Sequence, residues 1–348
     1  MASPGTQRLV VRTLLSLPAP VLRLMSGGGV VYQGGRTLDP RLQYLASQAR
    51  GAPSMTTLSP EEARRASADA LANMTGDPEP GVRVEPLTIP RPGGAIPARL
   101  YRPANQDPET PVLVFAHMGG GVIGDLETCH AFCTILALDA RCPVLSVDYR
   151  LAPEHRFPAG LEDVLAAYRY ARDNAERFGA PLAQAAIGGD SMGGAFAAIA
   201  CQELKRAGEP QPVLQLLIYP WVDIACDSAS MSTYGEAFPL DRATLGWFAG
   251  HYMAPGDNPA DPRLSPLRAD DLSGLAPAIV VTAGFDPLLD QGEAYARRLK
   301  EAHVPTVYRC YDSLAHAFTA FTGAVPSADT ASREVAGLVR EGFEGRIA

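Results

Sequence analysis

The sequence predicts an α/β fold in which helices cover both faces of a mostly parallel central sheet. Short apolar runs recur from residue 112 onward, and stretches long enough for a helix separate most of them. The runs are mostly apolar, as expected of strands in a sheet with both faces covered. With 348 residues, 47% of them hydrophobic, the chain can bury a large core. The runs are Val112–Ala116, Val144–Val147, Ala185–Ile187, Leu214–Tyr219, Ala278–Thr282 and Thr306–Tyr311.

The elements before these runs have clear start signals. Asp39-Pro40 begins a predicted helix that reaches Ala49, and Ser59-Pro60-Glu61-Glu62 begins a second one with a cap, a proline and acids in its first turn. From Val82 the pattern becomes that of strands. Val82–Pro90 and Ile96–Tyr101 flank a Pro-Gly-Gly turn and are predicted to pair as a hairpin.

Helices and an insertion complete the pattern. Helical stretches are predicted at Leu161–Asn174, Met192–Arg206 and Gln291–Ala302, between the apolar runs. The segment from Pro220 to about Ser273 breaks this alternation and is too rich in aromatic residues for a solvated loop. It is interpreted as an inserted helical lid, a place where substrate pockets often form.

Composition excludes some classes of protein and partner. The net charge of -8 argues against nucleic acid, which selects basic surfaces. Arg8 and Arg12 precede the run Leu14–Leu17, which faintly resembles a signal peptide, but prolines interrupt it. No apolar stretch approaches the roughly 18 residues of a membrane span. We therefore expect an amphipathic N-terminal segment that packs on the protein itself, and no membrane span.

The cysteines do not predict a disulfide framework. None of the six forms a C-x-x-C pair. Cys129 and Cys133, with His130 between them, have helical spacing and in principle could ligate a metal. We expect them instead to be small buried residues on one helix face, with no metal bound. Reduced thiols predict a cytoplasmic location.

The sharpest signal is the glycine-flanked serine of Gly189–Gly193, which follows an apolar run and precedes an alanine-rich helix. On a sharp strand-to-helix turn the residues two positions before and after the serine lie close together, so only glycine avoids a clash. The turn also places Ser191 at a helix N-terminus, where N–H groups favour negative charge. The lysine of a phosphate-binding loop is absent. We predict that Ser191 is a nucleophile and that Asp190 is structural.

A nucleophilic serine needs a base and an acid that orients it, in the chain order serine, acid, histidine for this arrangement. His316 lies beyond the last apolar run, in a loop of small residues, and is the predicted base. Asp286 follows the run Ala278–Thr282, at the end of a strand where α/β sheets place their sites, and is the predicted acid. Asp290 is predicted to cap the next helix.

These motifs resemble those of the hormone-sensitive-lipase-like esterases, the bacterial group called family IV, over roughly residues 80–320. His316-Ala317-Phe318 is similar to the family's histidine motif, with Ala317 where glycine is usual. The other matching segments are the family signature Val144–Gly160, the nucleophile motif Gly189–Gly194 and the acid motif Asp286–Gly292. The resemblance implies an α/β-hydrolase fold with a helical cap from residues 1–80 and 220–272, over a catalytic core of residues 81–219 and 273–348.

The chain departs from that family in the loop that begins at His117. The family pattern is His-Gly-Gly-Gly-aromatic, whereas here Met118 replaces the first glycine and Gly121 replaces the aromatic residue. We expect Met118 and Gly121 to line the substrate pocket, and the loss of the aromatic ring to widen it. The resemblance implies an oxyanion hole formed by the N–H groups of Gly119, Gly120 and Met192.

The activity implied is that of a carboxylesterase, which acts on small esters of short to medium acyl chain through an acyl-enzyme. An amidase, lactonase or thioesterase stays open, because the same site suits each reaction. A non-catalytic relative that binds a ligand is disfavoured because His316 is present. No metal or organic cofactor is expected, and a homodimer stays open.

Overall fold

The computed structural model describes residues 4–51 and 53–347. The N-terminal part is helical apart from one short hairpin. Its elements are α1 (Pro4–Leu15), α2 (Ala19–Met25), β1 (Tyr32–Gln33), β2 (Arg36–Thr37), α3 (Pro40–Ala49) and α4 (Pro60–Met74). Both predicted helix starts are confirmed. The Asp39 side chain accepts the N–H of Arg41, and Ser59 and Glu62 form a capping box at the start of α4.

Within the described residues, eight strands form one sheet in the order β10-β9-β8-β7-β5-β6-β4-β3. The hairpin pair β3–β4 and the pair β4–β6 are antiparallel, and the remaining neighbours are parallel. The strands are β3 (Val82–Arg91), β4 (Gly94–Pro103), β5 (Val112–Ala116), β6 (Val144–Val147), β7 (Ala185–Asp190), β8 (Gln215–Ile218), β9 (Ala278–Phe285) and β10 (Thr306–Ala315).

Helices cover both faces of this sheet, as predicted. Alternate side chains of β5 enter two different apolar clusters, because successive side chains of a strand point to opposite faces. Val112 and Val114 pack on the side of α6 and α7, while Leu113 and Phe115 pack on the side of α5 and α11. The helices are α5 (His130–Ala140), α6 (Ala159–Asp173), α7 (Met192–Arg206), α10 (Leu289–Glu301) and α11 (Pro326–Phe343).

The inserted segment, residues 220–272, contains the expected helices, α8 (Ala229–Thr233) and α9 (Arg242–Tyr252). Phe248 and Tyr252 of α9 are buried in the same apolar cluster as α6 and α7. The division of the chain into cap and core remains a prediction. No helix in the described part of the chain is long and apolar enough to cross a membrane.

Asp290 does not have its predicted role. Helix α10 begins at Leu289 with Leu288 at its N-cap, so Asp290 lies inside the helix and does not cap it. Its Oδ2 accepts the N–H of Ser230, at 2.7 Å, in the first turn of α8. The carboxylate therefore attaches the inserted segment to α10.

Candidate active site

Ser191 lies on a sharp turn between β7 and α7, with φ 54° and ψ -117°. This conformation is strained for a residue with a side chain. The Ser191 N–H donates to the carbonyl of Ile218 at 2.8 Å, which holds the turn to the neighbouring strand. A Cβ on Gly189 would lie 2.4 Å from the carbonyl carbon of Gly193, and one on Gly193 would lie 2.0 Å from the carbonyl oxygen of Ala116. The predicted close approach of the two glycines is therefore observed at Gly189, whereas Gly193 is restricted by the end of β5.

The structure brings together Ser191, His316 and Asp286, which are far apart in the sequence. His316 Nε2 lies 3.0 Å from Ser191 Oγ, and His316 Nδ1 lies 2.7 Å from Asp286 Oδ2. The three residues are 6%, 5% and 0% exposed, so water has little access to them. Asp286 follows β9 directly, and its Oδ1 accepts the N–H of Leu288 at 2.8 Å. That second bond fixes the carboxylate so that its other oxygen faces the imidazole.

The loop after β10 sets the position of His316. The pairing of β10 with β9 is irregular between Tyr311 and Ala315, and His316 follows at once. Ala317 has φ 62°, a left-handed conformation that favours glycine. This explains why glycine is usual at this position of the histidine motif, and it shows that Ala317 carries local strain here.

The loop after β5 runs beside the serine. Gly119, Gly120 and Gly121 all have positive φ, at 125°, 62° and 72°. The N–H groups of Gly119 and Gly120, like that of Met192 at the start of α7, have no acceptor among the described residues. Unpaired N–H groups beside a nucleophile are what an oxyanion hole requires.

Two glycines of this loop face aromatic rings of α9. A Cβ on Gly121 would lie 2.8 Å from the ring of Tyr252, and one on Gly120 would lie 2.3 Å from the ring of Phe248. The rings of α9 therefore lie where side chains at Gly120 and Gly121 would point, and a wider substrate pocket at Gly121 stays a prediction. Met118 is buried in a small apolar cluster with Ala317 and Ala320, next to His316.

Comparison with known proteins decides the family. The profile of a family described as alpha/beta hydrolase fold matches residues 113–320. Carboxylic ester hydrolase LipN of Mycobacterium tuberculosis is 44% identical over 316 residues, which cover 88% of this chain and 84% of that protein. The chain belongs to the α/β-hydrolase family. Its predicted resemblance to the hormone-sensitive-lipase-like branch is confirmed, as is the fold class.

Further relatives of this α/β hydrolase are also esterases by name. Ethyl acetate hydrolase of Pseudomonas putida is 37% identical over 279 residues, which cover 79% of this chain and 88% of that protein. The structure of ester-hydrolase EH1AB1 from the metagenome of Lake Arreo, complexed with a derivative of bipyridine phosphonate, has a TM-score of 0.83. It is 42% identical and covers 87% of this chain and 97% of that one.

A buried network that the sequence reasoning missed supports this site. Asp190 is fully buried, and its Oδ2 accepts hydrogen bonds from the hydroxyls of Tyr219 and Thr319, each at 3.0 Å. The Tyr219 ring lies 4.7 Å from the imidazole of His316, and Thr319 belongs to the turn after it. Burial raises the pKa of the Asp190 carboxyl, and these hydrogen bonds lower it. Asp190 is structural, as predicted, but it connects the serine turn to the histidine loop.

The sequence predicts the position of Tyr219 in this network but not its contacts. Tyr219 ends a predicted strand, where a polar group reaches the edge of the sheet, but nothing in the sequence pairs it with Asp190 or Thr319. The aromatic residues of α9 carried a stronger signal. Their segment is too rich in aromatic residues for a solvated loop, and Gly121 stands where the family has an aromatic residue. Only the fold shows that the rings of this segment contact Gly121.

His117, where the loop of this hydrolase begins, is also fully buried. Its ring stacks on Tyr149 with centroids 4.3 Å apart, and Nδ1 lies 2.7 Å from the carbonyl of Met118, to which it donates. Burial lowers the pKa of His117 to about 4. The ring is therefore neutral at pH 7 and holds the loop by packing and one hydrogen bond.

Cys129, Cys133 and His130 face different partners. The Cys129 thiol points to Asp190 Oδ1 at 3.5 Å, and His130 Nδ1 accepts from the hydroxyl of Tyr101 at 2.9 Å. Burial raises the pKa of both thiols, which disfavours the thiolate that metals bind. Among the described residues, no group of three or more potential ligands is arranged to hold a metal ion.

Proposed function

We propose that this chain is a carboxylesterase that hydrolyses esters of short to medium acyl chain. The observation that carries the proposal is the chain of contacts from Ser191 Oγ through His316 to Asp286, buried after the ends of β7, β10 and β9. The relatives support the same class, since they are named carboxylic ester hydrolase, esterase and ethyl acetate hydrolase. The small acyl group in the last of these names favours short substrates.

The proposed mechanism is acyl transfer in two steps. His316 takes the proton of Ser191 as the serine oxygen attacks the ester carbonyl, and Asp286 holds the imidazole in one tautomer and offsets its charge. His316 then gives the proton to the leaving alcohol. Water repeats the sequence on the acyl-enzyme and releases the acid. The N–H groups that bind the oxyanion are those of Gly119, Gly120 and Met192.

The substrate would contact Met118 and the side chains around it. Met118 packs with Ala317 and Ala320, and Leu71 of α4 packs against the same cluster. We propose that residues 1–80 and 220–272 act as the cap over a core of residues 81–219 and 273–348. In this division Leu71 and the aromatic residues of α9 are the cap's contribution to the walls of the site. Gly121 affects these walls because its missing side chain leaves room for the Tyr252 ring.

Rates on p-nitrophenyl esters from acetate to palmitate test this function. The wild-type protein should turn over the short and medium esters fastest. Ser191→Ala should lose at least about 10⁴-fold in kcat, because no other group can form the acyl-enzyme. Ser332→Ala, which removes another buried serine hydroxyl at α11, should keep wild-type rates. Near wild-type activity in Ser191→Ala would reject the nucleophile, and a rate that rises toward palmitate would reject the chain-length preference.

Two further points belong to this proposal. All six cysteines are unpaired, and four of them are buried, which supports the expected cytoplasmic location. Cell fractionation with an antibody checks it. The homodimer left open by the sequence stays a prediction that sedimentation velocity of the purified chain decides.

A further inference from the structure

Large apolar side chains are exposed mainly in one short part of the chain. In the described residues, seven of the nine exposed large hydrophobic side chains lie between residues 9 and 32. Five of them follow one another in α2, the loop after it and the first residue of β1. We call these five the N-terminal apolar face: Val21, Leu24, Met25, Val30 and Tyr32. Leu24 is 76% exposed, although leucine is among the residues most often buried.

The packing of α2 does not account for this face. The helix is already anchored on its inner side, where Leu22 is fully buried, and Leu15 just before it is buried as well. A surface helix normally turns polar residues outward. Helix α2 has Arg23 as its only polar side chain, so its outer side is apolar too. A clustered exposed apolar surface of this kind indicates a binding partner.

The charge of the region indicates which partner. Residues 1–38 contain four arginines and no aspartate or glutamate, while the whole chain has a net charge of -8. Arg8 and Arg12 contact Asp77, and Arg36 contacts Asp312. Arg23, in the middle of the face, has no carboxylate partner among the described residues. Arg23 is thus the one cation of the face without a carboxylate beside it among the described residues, and a two-fold dimer would place it near its own copy. The face is complementary to an anionic surface.

We propose that the N-terminal apolar face docks this protein on the surface of an anionic phospholipid bilayer. The apolar side chains would enter the boundary between headgroups and acyl chains, and the arginine would lie at the lipid phosphates. Interfacial segments bind through this combination of buried apolar area and attraction to anionic lipid. The proposal concerns binding alone and does not depend on the proposed esterase activity.

Helix α1, just before the face in the chain, contacts the helix that borders the candidate active site. Arg8 and Arg12 of α1 donate to the carbonyl of Thr75, at the C-terminal end of α4. Leu71, one turn earlier in α4, packs against the cluster that contains Met118 and Ala317. The helix that precedes the face therefore contacts the helix whose Leu71 borders the candidate site.

Sedimentation of the full-length protein with vesicles tests the proposal. The wild type should bind vesicles of phosphatidylcholine with phosphatidylglycerol at least about tenfold more tightly than phosphatidylcholine alone, and added salt should weaken this binding. Leu24→Asp places an acid in the centre of the face and should lower the partition coefficient about tenfold or more. Leu182→Asp is the matched control, because Leu182 is 70% exposed but lies far along the chain from the face. It should bind like the wild type.

Three outcomes overturn the proposal. The first is a wild type that does not sediment with phosphatidylglycerol vesicles. The second is an equal loss of binding in Leu24→Asp and Leu182→Asp when thermal unfolding shows both to be folded. The third is a wild type that is dimeric without lipid and becomes monomeric in Leu24→Asp, which would make the face an interface between copies of the chain. Ester hydrolysis in solution should be unchanged in Leu182→Asp.

Discussion

Two glycine-rich turns border the candidate nucleophile, and they are held in different ways. At the serine turn, added Cβ atoms on Gly189 and Gly193 would meet backbone atoms of the sheet and of the turn itself. At the loop after β5, those on Gly120 and Gly121 would meet the rings of Phe248 and Tyr252. The first turn is thus enclosed by the backbone of its own sheet, and the second by side chains from a distant helix.

This difference determines which of the two turns tolerates substitution. A backbone atom in a buried strand cannot move without disturbing the sheet, so the serine turn tolerates only glycine. A ring can move or be replaced, so the loop can change if α9 changes with it. The missing aromatic residue at Gly121 is an example, since Tyr252 occupies the space beside it.

The largest effect is expected at the serine turn. Gly193→Ala puts a Cβ 2.0 Å from the carbonyl oxygen of Ala116, which displaces Ser191 and the N–H of Met192 together. We expect kcat/KM on p-nitrophenyl acetate to fall at least about 10³-fold, since small displacements of catalytic groups are costly. Gly337→Ala, in α11 with no atom near its Cβ, is the control and should keep full activity. Wild-type activity in Gly193→Ala would contradict this account of the turn.

The next effect concerns the free energy of unfolding and arises from His117, at the start of the loop after β5. Burial lowers the pKa of His117 to about 4, below its value of about 6.5 in the unfolded chain. The unfolded state therefore binds the extra proton first as pH falls. Stability that is fully present above pH 6.5 is lost between pH 6.5 and 4, by about 3 kcal/mol from this residue.

Urea unfolding across that pH range measures the loss. His117→Asn keeps a donor near the Met118 carbonyl but does not titrate, so its free energy of unfolding should fall with pH less steeply than that of the wild type. Contributions from other groups cancel in the difference. If the free energies of unfolding of the wild type and His117→Asn changed in parallel with pH, burial would not keep His117 neutral. That result would contradict this account of the start of the loop.

The smallest effect is expected where a side chain encloses the loop. Gly120→Ala should lower kcat/KM about tenfold, because its Cβ displaces the Phe248 ring and a left-handed alanine is strained. Adding Phe248→Ala should recover most of the loss, which leaves a coupling of about 1 kcal/mol in the double-mutant cycle. Adding Gly246→Ala, in the same helix with open space at its Cβ, should recover nothing. Additive effects of Gly120→Ala and Phe248→Ala would contradict the comparison.

The same contrast explains how far the sequence could predict the molecule. Val112–Ala116, Val144–Val147 and Met192–Arg206 have the predicted bounds, because period and burial are local properties of the chain. The serine turn was predictable because its glycine-serine-glycine signal lies within a few positions, although the contact of Gly193 with Ala116 of β5 depends on the fold. The contacts of Gly121 with Tyr252 and of Asp190 with Thr319 were not, since they join segments more than 100 residues apart that only the fold brings together.

Covalent labelling tests the central claim most directly, namely that Ser191 is the nucleophile of this α/β hydrolase. The wild-type protein is treated with an activated phosphonate ester, digested and mapped by mass spectrometry. The account predicts one adduct per chain, on Ser191, and loss of ester hydrolysis in proportion to labelling. An adduct on another residue that abolishes activity, or full activity after Ser191 is labelled, would contradict it.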